Sequence, residues 1–504
     1  MQPASLAAII SAMKRGTLLI RPGRRGVARC VLVAMGLALS TGCGDAGPRA
    51  PRSHVLLITV DTLRADYLSS SDYDRPTTPF VDELVAQGVR FERAITPVPR
   101  TTPALASLLT GTYPHTHGVR RLLDTLGPGL PTLASLSQAQ GRGTVAVVSN
   151  HILTEGRGLE RGFDVYDAAT DARDAAATTQ AALDALSAYS PSDDLLVWVH
   201  YIDPHVPYTP PPELAEAFDP GYDGRYALAF GAAGGTGDRA YPEDLSKAEA
   251  VFQNRLPDTV NAHIRRLYAA DIRQTDNAIR TLVEEVRGRL GDDWTILFSA
   301  DHGEALGEKD FYYDHGDYVY NGSLRVPLAI VFPPGDPLRR TGVVEDWVSL
   351  VDIAPTLIEL LGLTRQEDGR SDMEGVSLVP YLRGEALPPR AVFAESGTSY
   401  FRDWIRRRVG FGVRGRFRSV ILGDWKLIWT PGQERARAFE LYDLREDPHE
   451  QRDVYREDHP ALPALARELE AWLQEASDSA SVPGLRALRY WDRSIEAPEL
   501  RSID

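Results

Sequence analysis

Cysteine is almost absent: Cys30 and Cys43 are the only two in 504 residues. That excludes a disulfide framework, and their place near the N-terminus excludes a thiolate nucleophile in the body of the chain. Lysine is nearly as scarce, with only Lys14, Lys247, Lys309 and Lys426, so arginine carries the positive charge. Acidic side chains outnumber basic ones by 70 to 55, for a net charge of −15. This balance disfavours a broad phosphate-backbone surface, and no nucleic-acid partner is expected. The apolar run at residues 31–39 rises only about 14 Å as a helix, against about 30 Å of hydrocarbon core. What remains is an ordinary globular composition, 43% apolar and 25% charged.

The N-terminus has a distinct character. Lys14, Arg15, Arg21, Arg24, Arg25 and Arg29 precede the apolar run, and no acidic residue occurs before Asp45. A basic segment, a short apolar core and small residues after it predict an export signal. Its end, Leu39-Ser40-Thr41-Gly42-Cys43, resembles a bacterial lipobox. That resemblance implies cleavage before Cys43, acylation of its thiol and a membrane held by the lipid anchor. The expected organisation is a signal at 1–43, a tether at 44–52, a catalytic α/β domain at 53–385 and a smaller α+β subdomain at 386–504. The expected location is the cell envelope, periplasm or outer membrane, with secretion as the alternative.

Val55-Leu56-Leu57-Ile58-Thr59-Val60 is a continuous apolar, β-branched run, the pattern of a buried parallel strand. Similar runs recur at 144–149, 195–199, 295–299 and 327–332. Helix-like segments at 78–87, 103–110, 178–187 and 258–289 alternate with them. This predicts an α/β fold, with a large, mostly parallel sheet flanked by helices and functional groups at strand C-termini. Residues 219–237 read as a surface insertion. Beyond about residue 385 the strands at 414–420 and 426–429, then a helix at 460–477, predict a small antiparallel sheet with a helix.

Asp61 stands one residue past the first strand, as a metal ligand or anion-site group, or else as a helix cap. Asp301 and His302 follow another strand in the same way. Their oxygen and nitrogen donors suit Zn²⁺ or Mn²⁺ better than Ca²⁺. In Pro97-Val98-Pro99-Arg100-Thr101-Thr102-Pro103, a prolyl loop meets a helix whose N-cap is Thr101 or Thr102. A helix N-terminus favours an oxyanion, although the threonine can equally be a plain cap. His115, His117 and His200 read as structural or rim histidines. Asp271 and Asp276 read as a solvated helix face, and the arginines at 402–418 as exposed charge on a β-ribbon.

Taken in order, these residues resemble the sulfatases of the alkaline phosphatase superfamily. The resemblance runs through Asp61-Thr62-Leu63-Arg64, Thr101-x-Pro103 with Ser107-Leu108-Leu109-Thr110-Gly111, and Asp203-Pro204-His205. It continues through Asp301-His302-Gly303-Glu304 and Leu324-Arg325-Val326-Pro327, and ends at Leu441-Tyr442-Asp443-Leu444. It implies a metal-dependent ester hydrolase acting on a small anionic ester. The implied metal ligands are Asp61, Asp301, His302 and Thr101, with Thr101 as nucleophile and His205 as proton donor to the leaving group. His315 is implied as a substrate-oxygen donor or, with Asp203, as a ligand of a second metal. Asn150, Asp203 and Arg64 are expected to line the substrate.

Several departures bear on the chemistry. Typical sulfatases place a cysteine or serine, oxidised to formylglycine, where this chain has Thr101. They have arginine where this chain has Leu105, a second aspartate at Thr62, and a lysine motif at Ser149-Asn150-His151. Threonine's methyl group blocks oxidation to an aldehyde, so formylglycine is not expected. A threonine nucleophile resembles the nucleotide pyrophosphatase and phosphoethanolamine transferase branches. The expectations are therefore a sulfate or phosphate ester hydrolase, an envelope phosphoryl-group transferase, or an inactive binding lipoprotein on the same scaffold.

Overall fold

A computed structural model describes residues 54–71, 73–171, 173–222, 258–363, 373–396, 417–430 and 438–478. The expected signal, Cys43, the tether, most of the 219–237 insertion and the arginines at 402, 406, 407, 408, 414 and 416 lie outside the described residues.

The main sheet has nine strands. They are β1 (His54–Val60), β2 (Val89–Ile95), β3 (Gly143–Val148), β4 (Val165–Ala168), β5 (Leu195–Tyr201) and β6 (Trp294–Ala300), then β9 (Arg325–Val326), β10 (Leu328–Val331) and β11 (Gly342–Ser349). A short hairpin, β7 (Ala305–Leu306) and β8 (Tyr312–Asp314), lies between β6 and β9. The order is β11-β2-β10-β6-β1-β5-β3-β4, with β9 beside β2. β1, β5 and β6, wholly buried at the centre, are the uninterrupted apolar runs. β1 pairs parallel with both neighbours, placing Val60 beside Tyr201 and Ala300. Their C-terminal ends therefore open at one edge, where Asp61 and Asp301 emerge. β10 runs antiparallel to β6 and β2, the main exception to parallel pairing.

Helices flank the sheet. α4 (Asp258–Leu290) packs against α1 (Pro79–Val85) and α3 (Ala175–Ala185). α2 (Thr101–Thr110) packs with helices Leu133–Ala139 and Ile353–Leu360. Asp271 and Asp276, expected on a solvated face, are instead buried. Asp276 accepts the N–H groups of Phe80 and Val81 at 3.1 and 2.8 Å, capping α1, and Asp271 accepts from Thr209 at 2.8 Å. Burial raises both carboxyl groups, Asp276 to about 6.

The smaller sheet orders β12 (Val392–Glu395), β13 (Arg418–Leu422), β14 (Trp425–Trp429) and β15 (Phe439–Asp443), all antiparallel, with α5 (Leu462–Asp478) packed on it. Lys426 is fully buried: its Nζ bonds Glu450 Oε1 at 2.6 Å and Asn321 Oδ1 at 2.9 Å, while Glu450 Oε2 accepts the Asn321 N–H at 2.6 Å. Arg418, read as exposed charge, is buried against Glu395 at 3.4 Å. Glu395 N–H also donates to the Pro97 carbonyl at 2.9 Å, so the small sheet braces the loop that leads to Thr101.

Candidate active site

Each site residue is delivered by the end of a regular element. Asp61 continues β1, its N–H donating to the Tyr201 carbonyl at 2.8 Å. Asp301 follows β6. Thr62 adopts φ 56°, an unusual left-handed conformation for a β-branched residue. That turn aims its N–H at Asp301 Oδ1, 3.2 Å away, and the Tyr268 hydroxyl holds its carbonyl at 2.7 Å. Thr101 is the first residue of α2, and Arg100, not a threonine, occupies the N-cap. The two threonines separate cleanly. Thr102 Oγ1 donates to the Leu122 carbonyl at 2.8 Å, whereas Thr101 Oγ1 lies 3.3 Å from His302 Nε2.

Three of these side chains hold their second polar atom in place and turn the other inward. Asp61 Oδ2 accepts Asn150 Nδ2 at 2.7 Å, and Asp301 Oδ1 accepts the His302 N–H at 2.7 Å. Asp61 Oδ1 and Asp301 Oδ2 are left buried without a hydrogen-bond partner. His302 Nδ1 pairs at 3.0 Å with the Gly303 carbonyl, which can only accept, so Nε2 carries the lone pair. That nitrogen lies 3.4 Å from Asp301 Oδ2 and 3.7 Å from Asp61 Oδ1. Donors bound at 2.0–2.1 Å in a tetrahedron sit about 3.4 Å apart. The orphaned oxygens, the imidazole and the Thr101 hydroxyl thus have the spacing and chemistry of a divalent-cation cradle.

The electrostatics point the same way. Burial, and then the neighbouring Asp61 charge, pushes Asp301 well above the ordinary carboxylate range. Burial also acts on Asp61, but the imidazoles of His200, His205 and His302 outweigh it and hold that carboxyl low. Burial pushes His302 down to about 4, so its ring is neutral near pH 7.

His200, read from sequence as structural or rim, stands at the site. Asp61, His200 and Asp301 form a buried group whose ligand atoms lie within 4.8 Å of one another and could hold a metal ion. Trp198 Nε1 donates to Thr59 Oγ1 at 2.9 Å, and the same oxygen lies 2.9 Å from His200 Nδ1, which fixes the ring. His200 Nε2 faces Asp61 Oδ2 at 3.6 Å, beside the carboxylate that the ring helps to orient. Nothing in the sequence marks His200 beyond its place as the penultimate residue of β5.

The expected substrate residues divide. His205 is half-buried, 5.1 Å between ring centroids from His315, which lies 4.3 Å from the His302 ring. His315 Nδ1 pairs with Glu304 Oε1 at 3.1 Å. These three imidazoles gather beside Thr101. Asn150 supports Asp61 instead of lining the substrate. Asp203 is turned away, its Oδ2 accepting the Ala175 N–H of α3 at 2.7 Å, and it does not pair with His315 over a second metal. Arg64 is spent on Asp66 and Glu308, both at 2.7 Å, and on the Glu304 carbonyl at 3.0 Å. His117 bonds Ser107 Oγ at 2.9 Å and His115 pairs with Glu374 at 2.7 Å, both as structural groups.

A family model described as Sulfatase matches residues 53–363, and one described as N-sulphoglucosamine sulphohydrolase, C-terminal, matches residues 307–479. The choline-sulfatase of Rhizobium meliloti (strain 1021) is 30% identical over 227 residues, covering 43% of this chain and 39% of that protein. The chain thus spans less than half of that relative's length. Among solved structures, BT4656 in complex with D-glucosamine-2-N,6-O-disulfate has a TM-score of 0.65 at 19% identity, covering 86% of this chain and all of the other. The phosphonate monoester hydrolase of Agrobacterium radiobacter has a TM-score of 0.62 at 21% identity, covering 85% and 96%. At these identities the structural likeness is one of fold.

Proposed function

The chain belongs to the sulfatase family, and from that premise we propose a metal-dependent hydrolase that transfers the sulfuryl or phosphoryl group of a small ester to Thr101 and then to water. The observation that carries this reading is the 3.3 Å approach of Thr101 Oγ1 to His302 Nε2, at a cradle whose carboxylate oxygens have no other partner. Asp61, Asp301, His302 and Thr101 would hold the ion, which, when bound, acts as a Lewis acid that acidifies a hydroxyl. Zn²⁺ or Mn²⁺ suits this mixed oxygen and nitrogen set, with Ca²⁺ next.

The chain's own groups account for the rest. The Thr101 hydroxyl releases its proton to solvent as its oxygen attacks sulfur or phosphorus, the bond to the leaving oxygen breaks, and protonated His205 gives that oxygen a proton. The N-terminus of α2 favours negative charge on the transferred group. Water then attacks the threonyl ester, His205 takes its proton, the bond to the Thr101 oxygen breaks, and that oxygen takes back a proton from solvent. Threonine cannot become formylglycine, which favours phosphorus over sulfur. Solved neighbours named for a disulfated glucosamine and for phosphonate monoesters support a fold that hosts both chemistries.

The test compares aryl sulfate, phosphate monoester, phosphodiester and phosphonate monoester substrates after EDTA treatment and re-addition of Zn²⁺, Mn²⁺ or Ca²⁺. Metal-dependent turnover, faster on phosphorus than on sulfate, is expected. Turnover undiminished by chelation would overturn the reading, and faster transfer to an added alcohol than to water would make the protein a transferase. The lipobox-like end supports export and anchoring through acylated Cys43; Cys43→Ser should then release the protein from the membrane fraction.

A further inference from the structure

Arg100 immediately precedes Thr101, at the N-cap of α2, and is only 6% exposed. A guanidinium has five N–H donors. Among the described residues this one makes no side-chain hydrogen bond, and its Nε is buried without a partner. Asp317 Oδ1 lies 3.9 Å from Nη2, an ion pair too long for a hydrogen bond. A buried charge without hydrogen bonds is costly to keep unless something else accepts them.

Its location says what that acceptor is. Gly316, at φ +94°, makes room for the side chain: a Cβ there would stand 2.0 Å from Arg100 Nε. The guanidinium therefore lies against the His315-Gly316 backbone, beside the ring whose centroid is 4.3 Å from that of His302. The cationic positions typical of the family are meanwhile taken. Leu105 is fully buried in the core, and Asn150 is bonded to Asp61. Arg64 and Arg120 are paired with carboxylates. Two buried aspartates, even offset by a dication, leave no surplus positive charge for an anionic substrate.

We infer that Arg100 is the oxyanion-binding residue of this site, its guanidinium donating hydrogen bonds to the non-bridging oxygens of a sulfate, phosphate or phosphonate monoester as Thr101 attacks. The planar fork matches such a tetrahedral group in a bidentate way. The inference rests on the hydrolase reading for its substrate class, yet it concerns anion binding, which is measurable without turnover.

The experiment uses the full, metal-loaded protein and inorganic phosphate and sulfate as probes, with binding followed by calorimetry and by thermal shift. Arg100→Gln should weaken binding of either anion by at least tenfold and lower kcat/KM by about 10²–10³-fold, with metal content unchanged. Its anion-free Tm should fall, because buried Asp317 loses its ion-pair partner, so anion affinity and kcat/KM, which a merely structural arginine would not move, are the deciding readouts. Arg100→Lys keeps the charge without the fork and should recover part of the affinity; it also carries the test if the glutamine variant does not fold. Anion affinity and kcat/KM within twofold of wild type in both variants would overturn the inference. Anion binding that depends on Arg100 in a protein that hydrolyses nothing would sustain it while sinking the hydrolase reading.

Discussion

Asn150 Nδ2 sits 2.7 Å from Asp61 Oδ2, and that bond decides which oxygen of Asp61 turns toward His302. From behind, His200 Nε2 faces the same oxygen at 3.6 Å. With Oδ2 held by Asn150, Oδ1, which has no hydrogen-bond partner, is the inward ligand atom.

Removing these supports should loosen the cation without touching a ligand. Asn150→Ala and His200→Phe are each expected to weaken metal affinity by about 10–100-fold. Competition against a chelator of known affinity reads this directly. Unchanged affinity in both variants would remove the orienting role assigned to them.

Thr101→Ala should abolish turnover, by at least about 10³-fold, while the protein stays folded and most of its metal remains bound. Thr101→Ser keeps the hydroxyl and should retain measurable activity. Mass spectrometry of quenched reactions should find the transferred group on the peptide containing Thr101. Finding it on Thr102 would contradict the geometry, since that hydroxyl is bonded to the Leu122 carbonyl.

Stability should fall on mild acidification through His117. Burial pushes this imidazole down to about 3 from an ordinary 6.5. Between those values the unfolded chain binds a proton that the folded one refuses, so its contribution to stability is complete above pH 6.5 and is lost as pH falls. The slope from this group approaches about 1.4 kcal/mol per pH unit. Urea unfolding of His117→Gln, compared with wild type from pH 7 to pH 4, should show a shallower loss despite lower stability at pH 7.

Lys426→Met leaves Glu450 buried and charged without its partner, at an expected cost of about 3–5 kcal/mol. The double variant Lys426→Met/Glu450→Leu should recover much of that loss. Additive losses measured by denaturant unfolding would mean the two side chains act independently.

The central strands were legible in the sequence because a strand buried on both faces has no polar residue to interrupt it, as in Val55-Leu56-Leu57-Ile58 and the run at 295–299. β2 and β11 were not, because each mixes charged residues such as Arg90, Glu92, Glu345 and Asp346 among its apolar ones, which reads as loop. Asp61, Asp301 and Thr101 could be picked out because each follows or opens a recognisable element, and the structure brings them together. Asp271 and Asp276 misled because their helix has polar residues on several faces, and two of these serve as caps for neighbouring backbone. Arg64 and Asp203 lay within family-like motifs yet are consumed locally, and only coordinates reveal such partners. Arg100 was given no role and His200 was read as structural or rim for the opposite reason: their significance depends on which hydrogen bonds their surroundings fail to supply and on which groups they face.

The Lys426–Glu450–Asn321 clasp joins the last third of the chain to the segment just past His315. Cutting the protein near residue 385 would strand an amide at Asn321 in a dry interior and release the Pro97 carbonyl beside the reacting threonine. Protease nicking or gene shortening in that region should therefore yield insoluble material, and never a minimal enzyme. Homologues that dispense with the small sheet would have to bring another hydrogen-bond donor to that spot.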